Sequence, residues 1–363
     1  MAEDRGPRVP ALIRAVRVLD MVAVEPVPPG VTEIAKRLGL PKSSVHNICA
    51  SLTDERMLLR GADGSFRLGP RVFELGAVVP DRERTGATVA VSVQNGTNPF
   101  FDAEIAAARE EAERSGARLI ATHAGADPAR QDAQIREFVD AGAEIVLVDP
   151  VDSLGLSSAA DYAHARNVVI VAINGAATNF DAAVTTDNTR AGVLAGEHFG
   201  RLFPRGARIA IIDGTRVTAI ADRIDGFRRA LGERGGFEVV AHATGDNSEK
   251  RGRELAAGVL DRHDGIQAFF AINDPTALGV SQACRERDLT IPVIGVDGSA
   301  AAVDEIRRGG NIVATAVQDP SALGRTGVHL GFELAAGRRP LHRTILLPTQ
   351  LITAAEAEEY EPW

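Results

Sequence analysis

The chain opens with stretches in which apolar residues recur every three to four positions, the spacing of an amphipathic helix. Residues 10–23 (PALIRAVRVLDMVA) form the first of these helices, and VPPG at 27–30 ends it. The following TEIAKRLG predicts a second helix, capped by Thr32 and ended by Gly39 in a left-handed conformation. Pro41 suits the first turn of a third helix, where its missing N–H is not needed.

Two strand-like runs follow these helices. MLLR (57–60) and SFRL (65–68) are joined by GADG, which carries the turn signal Asp63-Gly64. This order of elements predicts a winged helix-turn-helix domain over residues 1–72, with two helices, a short turn, a third helix and a hairpin. We interpret residues 73–87 as a charged linker, with FELGAVV (73–79) as a candidate linker helix.

From residue 88 the pattern changes to short apolar runs that alternate with amphipathic helical stretches. The runs are TVAVSV, RLIATHA, EIVLVDP, NVVIVAIN, RIAIIDG, FEVVAHATG, AFFAIN, PVIGVDG and IVATAVQ. This rhythm predicts an α/β fold with parallel sheets covered on both faces. Residues 88–354 exceed one comfortable core, so two lobes are expected, with residues 355–363 as a C-terminal tail.

The third helix separates into two faces. Val45, Ile48, Cys49 and Leu52 share a stripe that predicts burial, and the opposite face is polar with small side chains. Such a face enters the DNA major groove, where asparagine pairs with adenine and serine contacts several bases. The residues expected to contact DNA are Lys42, Ser43, Ser44, His46 and Asn47 on the helix, with Arg60 and Arg67 on the wing. The alternatives are a solvated face or a catalytic His46–serine pair, and an exposed helix turn offers no cleft for catalysis.

Composition and charge narrow the classes of protein to which this chain can belong. The net charge is −9, but residues 1–84 hold 13 basic and 11 acidic side chains against 27 and 38 in the remainder. A nucleic-acid surface is therefore expected in the N-terminal part. No run reaches 18 apolar residues, the start lacks a secretory signal, and two cysteines form no disulfide framework. A cytoplasmic protein without a membrane segment is expected.

Polar and aromatic side chains follow the strand-like runs, where ligands bind in open parallel sheets. The candidate ligand-binding residues are Gln94, Asn98, Phe100, Phe101, Asn174, Arg223 (expected at the start of its helix), Asn247, Asn273, Asp297 and Gln318. Amides, a carboxylate, a guanidinium and aromatic rings together suit a carbohydrate. The alternatives are core roles for Phe101, helix caps for Asn273 and Asp297, and a surface ion pair for Arg223. Neither a phosphate-binding glycine loop nor a metal-spaced cluster is seen, so no cofactor or metal is expected and an enzyme is disfavoured.

The N-terminal motifs resemble the DNA-binding domain of the IclR family. The resemblance spans residues 10–77 and is carried by LGLPKSSVH and FRLGPRVFELG. It implies a double-stranded DNA operator as partner. Many members carry a basic residue at the position of Asn47, so their base preference does not transfer.

Residues 88–352 resemble type I periplasmic binding proteins, most closely the ribose-binding group and the ligand domains of LacI/GalR regulators. TNPFF, AIND, VIGVDGS and ATAVQDP carry the resemblance. It implies binding roles for Asn98, Phe100, Arg223, Asn273, Asp297 and Gln318. It also implies chain crossings near Thr186–Asp187, Gln318–Asp319 and residues 346–348, with lobes of 88–186 plus 319–346 and 187–318 plus 347–354.

Two departures from the family pattern bear on the identity of the ligand. The family often has Asp-Arg where this chain has Asn174-Gly175, and often an aromatic where this chain has Asn247. Both favour a pentose, a linear sugar alcohol or a modified sugar over a conventionally held pyranose. The sequence thus predicts a sugar- or polyol-responsive transcription regulator, expected to be a homodimeric repressor in which ligand closes the lobes. The rival interpretation is a transporter's solute-binding subunit, which would be expected to have a signal peptide and no basic N-terminal module.

Overall fold

A computed structural model of the chain describes residues 10–25, 28–61, 63–77, 86–338, 340 and 342–363. The chain divides into an N-terminal unit, Met1–Pro80, and a C-terminal unit, Asp81–Trp363. The elements of the N-terminal unit are α1 (Pro10–Val24), α2 (Val31–Leu38), α3 (Lys42–Asp54), β1 (Leu58–Arg60), β2 (Phe66–Leu68) and α4 (Pro70–Ala77).

The N-terminal unit is built around a small apolar core. Val18 from α1, Ile34 from α2 and Val45 from α3 are fully buried there, with Leu58 from β1. Strands β1 and β2 pair in antiparallel register, Leu58 opposite Leu68. This arrangement of helices and a short hairpin is the winged helix-turn-helix expected from the sequence.

Three local expectations in this unit have clear outcomes. Gly39 ends α2 in the left-handed conformation, with φ of 63°, as predicted. The expected cap at Thr32 is wrong, because α2 begins at Val31 with Gly30 as its N-cap. Gly30 forms a bridge with Ser65 of the hairpin, and its carbonyl accepts the first helical N–H groups, so the helix starts two residues earlier than a cap at Thr32 would place it. Helix α4 begins at Pro70, three residues before the candidate linker helix, and residues 78–85 of the expected linker lie outside the described residues.

The C-terminal unit contains two sheets with helices against both faces. Its helices are α5 (Pro99–Arg114), α6 (Pro128–Asp140), α7 (Ser157–His164), α8 (Asn188–Leu202), α9 (Thr218–Arg234), α10 (Glu249–Arg262), α11 (Asp274–Arg285), α12 (Ala300–Arg307) and α13 (Pro320–Ala335). Its strands are β3 (Thr88–Val93), β4 (Arg118–His123), β5 (Ile145–Val148), β6 (Val169–Ile173), β7 (Ala182–Thr186), β8 (Arg208–Asp213), β9 (Glu238–Thr244), β10 (Ala268–Ala271), β11 (Val293–Asp297), β12 (Ile312–Val317), β13 (Thr344–Leu347) and β14 (Leu351–Thr353).

Each sheet is the centre of one lobe. In lobe 1 the strand order is β13-β7-β6-β5-β3-β4, and every pairing is parallel. In lobe 2 the order is β14-β12-β11-β10-β8-β9, with only β14 antiparallel to its neighbour. Most of these strands are buried on both faces, as sheets covered by helices require.

The chain passes between the lobes in three places. It leaves lobe 1 after β7 to begin α8, returns after β12 to begin α13, and crosses again between β13 and β14. Helix α13 packs on α5, which places it in lobe 1. The carboxyl ends of the parallel strands in both lobes therefore face a common cleft.

Close helix contact fixes one side of this cleft. A Cβ at Gly192 of α8 would lie 1.9 Å from the carbonyl oxygen of Arg223, and one at Gly226 would lie 2.1 Å from that of Thr189. Glycine at both positions lets α8 and α9 approach closely. This contact holds Arg223 at its place in the cleft.

Candidate functional site

A cavity of about 500 Å³ lies between the lobes of the C-terminal unit. It falls within the range of sites that bind small molecules. All ten ligand-binding candidates from the sequence line this cavity: Gln94, Asn98, Phe100, Phe101, Asn174, Arg223, Asn247, Asn273, Asp297 and Gln318. The residues lie at the carboxyl ends of strands or in the first two turns of the helices that follow.

Lobe 1 contributes a buried carboxylate that sequence reasoning missed. Asp149 follows β5 directly and is 1% exposed. The Gln94 side chain donates to Asp149 Oδ1 over 2.8 Å, and that of Asn174 donates to Oδ2 over 2.9 Å. A carboxylate has about four acceptor positions, so two remain for hydroxyl groups of a ligand. The signal was present in the sequence, since Asp149 is the second-to-last residue of the run EIVLVDP just as Asp297 is in PVIGVDG.

This arrangement revises the expectation drawn from Asn174-Gly175. Asn174 does bring an amide where the family often has a carboxylate, and its backbone has φ of 61°. The negative charge is nevertheless retained nearby, because Asp149 enters from the neighbouring strand and binds Asn174. The Oδ1 atom of Asn174 is buried and has no hydrogen-bond partner among the described residues. It is therefore an acceptor that a ligand donor would satisfy.

Lobe 2 contributes the second carboxylate. Asp297 ends β11, and Gln318 donates to its Oδ1 over 2.8 Å. Gln318 is buried, and its Oε1 has no hydrogen-bond partner in the described part of the chain. Like the Asn174 amide, it presents an unsatisfied acceptor at the cavity.

Arg223 provides the positive charge. It is 4% exposed, and its Nε donates to Asn188 Oδ1 over 2.8 Å while Nη1 donates to the Ile272 carbonyl over 2.7 Å. These bonds fix the guanidinium plane, and its Nη2 has no hydrogen-bond partner within the described ranges. The expectation that Arg223 begins its helix is wrong, because α9 starts at Thr218, whose N–H is held by Ser153 Oγ. Arg223 thus lies in the second turn, pointing into the cleft.

Burial shapes the electrostatics of the cavity. Burial raises the pKa of Asp149 to about 7, although the Gln94 and Asn174 amides and the Arg223 charge lower it. Burial and the Asp274 carboxyl raise the pKa of Asp297 to about 7, against the opposing effect of Arg223. Burial thus brings the pKa of both carboxyl groups to about 7.

Two further acidic groups surround the site. Glu104 is fully buried in α5, and burial together with Asp149 raises its pKa well above the usual range. Asp274 accepts from the Thr315 hydroxyl over 2.7 Å and from the Ser299 N–H over 2.8 Å, which ties β12 and α12 to the end of β10. Burial of Arg223 lowers its pKa, and Asp297 and Asp149 offset that effect.

Four of the candidate residues also have structural roles. The Asn98 side chain caps α5 through the Phe100 N–H, and Asn273 caps α11 through the Thr276 N–H. Asn247 has φ of 68°, and its amide makes both of its hydrogen bonds to Thr215. Phe101 is buried beside Phe100, with the ring centroids 5.7 Å apart. Asp297 does not cap α12, because Ser299 does so.

The two lobes are hydrogen-bonded across one edge of the cleft. The Thr218 hydroxyl of lobe 2 accepts from the Ala176 N–H over 2.9 Å, and the Thr218 N–H donates to Ser153 Oγ over 3.1 Å. The Ser153 N–H also donates to the Arg216 carbonyl over 3.3 Å. These contacts join lobe 1 to lobe 2 directly, as closure of the cleft requires. We call this set the Thr218 latch.

The N-terminal unit carries the candidate DNA-contacting residues. Val45, Cys49 and Leu52 of α3 are buried and Ile48 packs against the same core, as predicted. The residues expected to contact DNA lie on the other side: Lys42, Ser43, His46 and Asn47 are exposed, Ser44 is half-buried, and Arg60 and Arg67 are exposed on the wing strands. The face is therefore available to a groove.

Comparison with known proteins identifies the class that this fold and cleft define. The chain belongs to the family described as periplasmic binding protein domain, whose profile matches residues 89–339. Residues 11–61 match the IclR helix-turn-helix domain. Both resemblances and the two-lobed α/β fold expected from the sequence are thereby confirmed. None of the described helices is long and apolar enough to cross a bilayer.

Particular relatives are similar along most of their length. The ribose import binding protein of Bacillus subtilis is 28% identical over 269 residues, covering 73% of this chain and 87% of that protein. An ABC transporter solute binding protein from Bacillus halodurans with bound myo-inositol is 26% identical, with a TM-score of 0.70 over 77% of this chain and 98% of that one. A solute binding protein from Mycobacterium smegmatis with bound glycerol is 27% identical, with a TM-score of 0.72 over 76% of this chain and 96% of that one.

Proposed function

We propose that this protein is a ligand-responsive transcription regulator. The cleft of its C-terminal unit would bind a small sugar or polyol, and its winged helix would bind a double-stranded DNA operator. We place it in the cytoplasm, as a homodimer that acts as a repressor. It would bind its ligand without chemical conversion.

The observation that carries the ligand class is the pair of buried carboxylates on opposite walls of one cleft. Asp149 of lobe 1 and Asp297 of lobe 2 each hold an amide partner and retain free acceptor positions. Arg223 offers a donor between them, and Phe100 offers an apolar ring. Alternating acceptors and donors beside a ring suit a compact molecule with several hydroxyl groups.

The size of the ligand follows from the same walls. Gly175 lacks the side chain expected from the family, while Asp149 keeps a carboxylate at that wall. The relatives named above are described with ribose, myo-inositol and glycerol. We therefore favour a pentose or a cyclic polyol as the effector.

The exposed polar face of α3 supports the DNA-binding part of the proposal. Its small side chains allow close approach to bases, and the first turn with Lys42 suits phosphate contacts. Helix α1 supports the proposed homodimer. On one of its faces Leu12, Ile13 and Val16 are 64%, 37% and 49% exposed. Such an apolar face on a surface helix is typical of an interface between subunits.

The alternative function is an import binding protein that has acquired an N-terminal module, since the curated relatives named above take part in import. The two proposals differ in their DNA binding. In vitro selection of double-stranded DNA by the purified full chain should enrich a specific sequence, and calorimetry should detect D-ribose or myo-inositol. Failure to enrich any sequence would leave the import role as the better account.

A further inference from the structure

The segment after β14 runs along lobe 2 toward the cleft. We call residues 354–363 the tail segment. Ala357 is fully buried in the lobe 2 core, and Arg307 of α12 donates to the carbonyls of Ala357 and Tyr360, both over 2.9 Å. These contacts hold the tail segment against lobe 2.

The tail segment ends at the carboxyl end of β11. The Tyr360 hydroxyl donates to the Gly298 carbonyl over 3.2 Å, and the Trp363 indole N–H donates to the Asp297 carbonyl over 3.1 Å. Asp297 has φ of 143° and Gly298 has φ of 79°. Two aromatic side chains thus satisfy the carbonyls of the unusual backbone that presents the Asp297 carboxylate.

The Trp363 ring reaches across to the other lobe. Its centroid lies 5.4 Å from that of Phe100, and the two planes meet at 84°. This edge-to-face contact is the preferred arrangement for two aromatic rings. Trp363 therefore contacts lobe 1 with its ring while its N–H is bound to lobe 2.

Trp363 also borders the cavity. Phe100 and Phe101 come from lobe 1, and Trp363 is the aromatic side chain that lobe 2 contributes to the described lining. Asn247 offers no ring, and Thr215 engages both groups of its amide. The aromatic surface that lobe 2 contributes to the described lining thus comes from the tail segment.

We propose that Trp363 is a ligand-contacting residue that determines specificity and stabilises the closed cleft. Its indole would pack against the C–H groups of a ring-shaped polyol beside Phe100, the ring that it contacts edge to face. Because its N–H is bound to Asp297, ligand contact with the carboxylate and with the indole would be linked. This inference rests on the proposed function, since it concerns the same cleft.

The sequence contains a single tryptophan, so intrinsic fluorescence reports on this residue alone. The experiment titrates the full chain with D-ribose and with myo-inositol, following indole emission and, in parallel, heat by calorimetry. Trp363→Ala and Trp363→Phe are measured by calorimetry, and thermal unfolding checks their folding. Tyr360→Phe removes a tail anchor while keeping the ring at position 363.

We expect emission to shift with the same midpoint as the calorimetric curve. Trp363→Ala should weaken binding by about tenfold, equivalent to about 1.4 kcal/mol, because it removes the indole surface that contacts the ligand. Trp363→Phe should restore most of that loss, and Tyr360→Phe should change the affinity less than Trp363→Ala.

Three results would overturn the inference while the wild type still binds a probe: emission that does not change, equal affinity in Trp363→Ala, or tighter binding in Trp363→Ala. The last would mean that the indole competes with the ligand. If the wild type binds neither probe by calorimetry, the proposed sugar-sensing function fails and the inference fails with it.

Discussion

At the scale of single residues, the proposed recognition of a ligand by lobe 1 depends most on Asp149. It accepts hydrogen bonds from two amides and keeps lone pairs toward the cavity, where Arg223 lies within electrostatic reach. Without it, lobe 1 would offer mainly amides. The chain thus keeps a negative charge on this wall although Asn174 is neutral.

We expect Asp149→Asn to weaken binding of D-ribose or myo-inositol by about one to two orders of magnitude. A hydrogen bond to a charged group contributes about 1.5–3 kcal/mol. Calorimetry measures the change, and Glu113→Gln, an exposed carboxylate of α5, is the matched control. Unchanged affinity in Asp149→Asn would remove this residue from the site.

Ligand binding should strengthen with rising pH. Burial raises the pKa of Asp149 and of Asp297 to about 7, because it disfavours their ionised forms. Hydroxyl groups donate best to the ionised forms, so affinity should increase between about pH 6 and about pH 8. Calorimetric titrations at several pH values measure the slope, which should be shallower in Asp149→Asn. A flat profile in the wild type would contradict the assignment.

The stability of the ligand-free protein should change in the opposite direction. An aspartate in the unfolded chain loses its proton near pH 3.8, whereas these two lose it near pH 7 in the folded protein. Between those values the folded state holds more protons, so the free energy of unfolding should fall as the pH rises through this window. Thermal unfolding measured at several pH values tests the sign. The prediction would be contradicted if the stability of the wild type rose over this window by more than the stability of Asp149→Asn.

The position of a residue relative to a strand was the most informative signal in the sequence. Gln94, Asn273, Asp297 and Gln318 line the cavity because parallel strands end at one edge of a sheet. Asp149 follows the same rule, but it was not among the predicted site residues, whereas Asn174 was. Trp363 could not be placed, because the path of the tail segment depends on contacts with Arg307 and Gly298 that local sequence does not encode.

At the scale of elements, the Thr218 latch links lobe closure to the loops after β5 and β6. Its bonds join the start of α9 to Ser153 and Ala176. A ligand that binds the closed form better would share its binding energy with these contacts.

Thr218→Val removes the hydroxyl while keeping the shape of the side chain. We expect it to weaken polyol binding by about two- to tenfold, because one hydrogen bond contributes about 0.5–1.5 kcal/mol. Calorimetry gives the affinity. Thr178→Val, an exposed threonine near the same rim, should bind like the wild type. Equal losses in both variants would show that the latch is not specific.

The third helix should read DNA through its N-terminal half. Asn47→Ala should weaken binding to the selected operator by about tenfold, since a bidentate base contact contributes about 1–3 kcal/mol. Fluorescence anisotropy measures DNA affinity, and calorimetry should show unchanged polyol affinity. Asp54→Asn, at the far end of α3, is the control. Wild-type DNA affinity in Asn47→Ala would exclude Asn47 from the interface.

Element types were predictable where the periodicity was strong, and strands were missed where it was weak. Strand β7 consists of AAVTT, and its small residues gave no distinctive apolar run. Strands β13 and β14 are short and half-exposed edges, each completing a sheet begun elsewhere in the chain. Their places are set by the crossings between the lobes, which no local pattern reveals.

At the scale of the whole molecule, one chain combines an IclR helix-turn-helix domain with a periplasmic binding protein domain. We propose that ligand closes the cleft and thereby changes how two copies present their α3 helices to DNA. Such coupling requires that the ligand bind the closed form better than the open one. In this proposal, the two buried carboxylates and the Thr218 latch would provide that preference.

The most direct test measures operator affinity of the full chain with and without saturating myo-inositol or D-ribose, whichever binds by calorimetry. We predict a change of about fivefold or more in the apparent Kd, the usual lower range for coupled sites. At a ligand concentration too low to saturate Asp149→Asn, the operator affinity of that variant should stay unchanged. Operator affinity that stays constant while the wild type is fully ligand-bound would contradict the proposal that this protein is a sugar-responsive regulator.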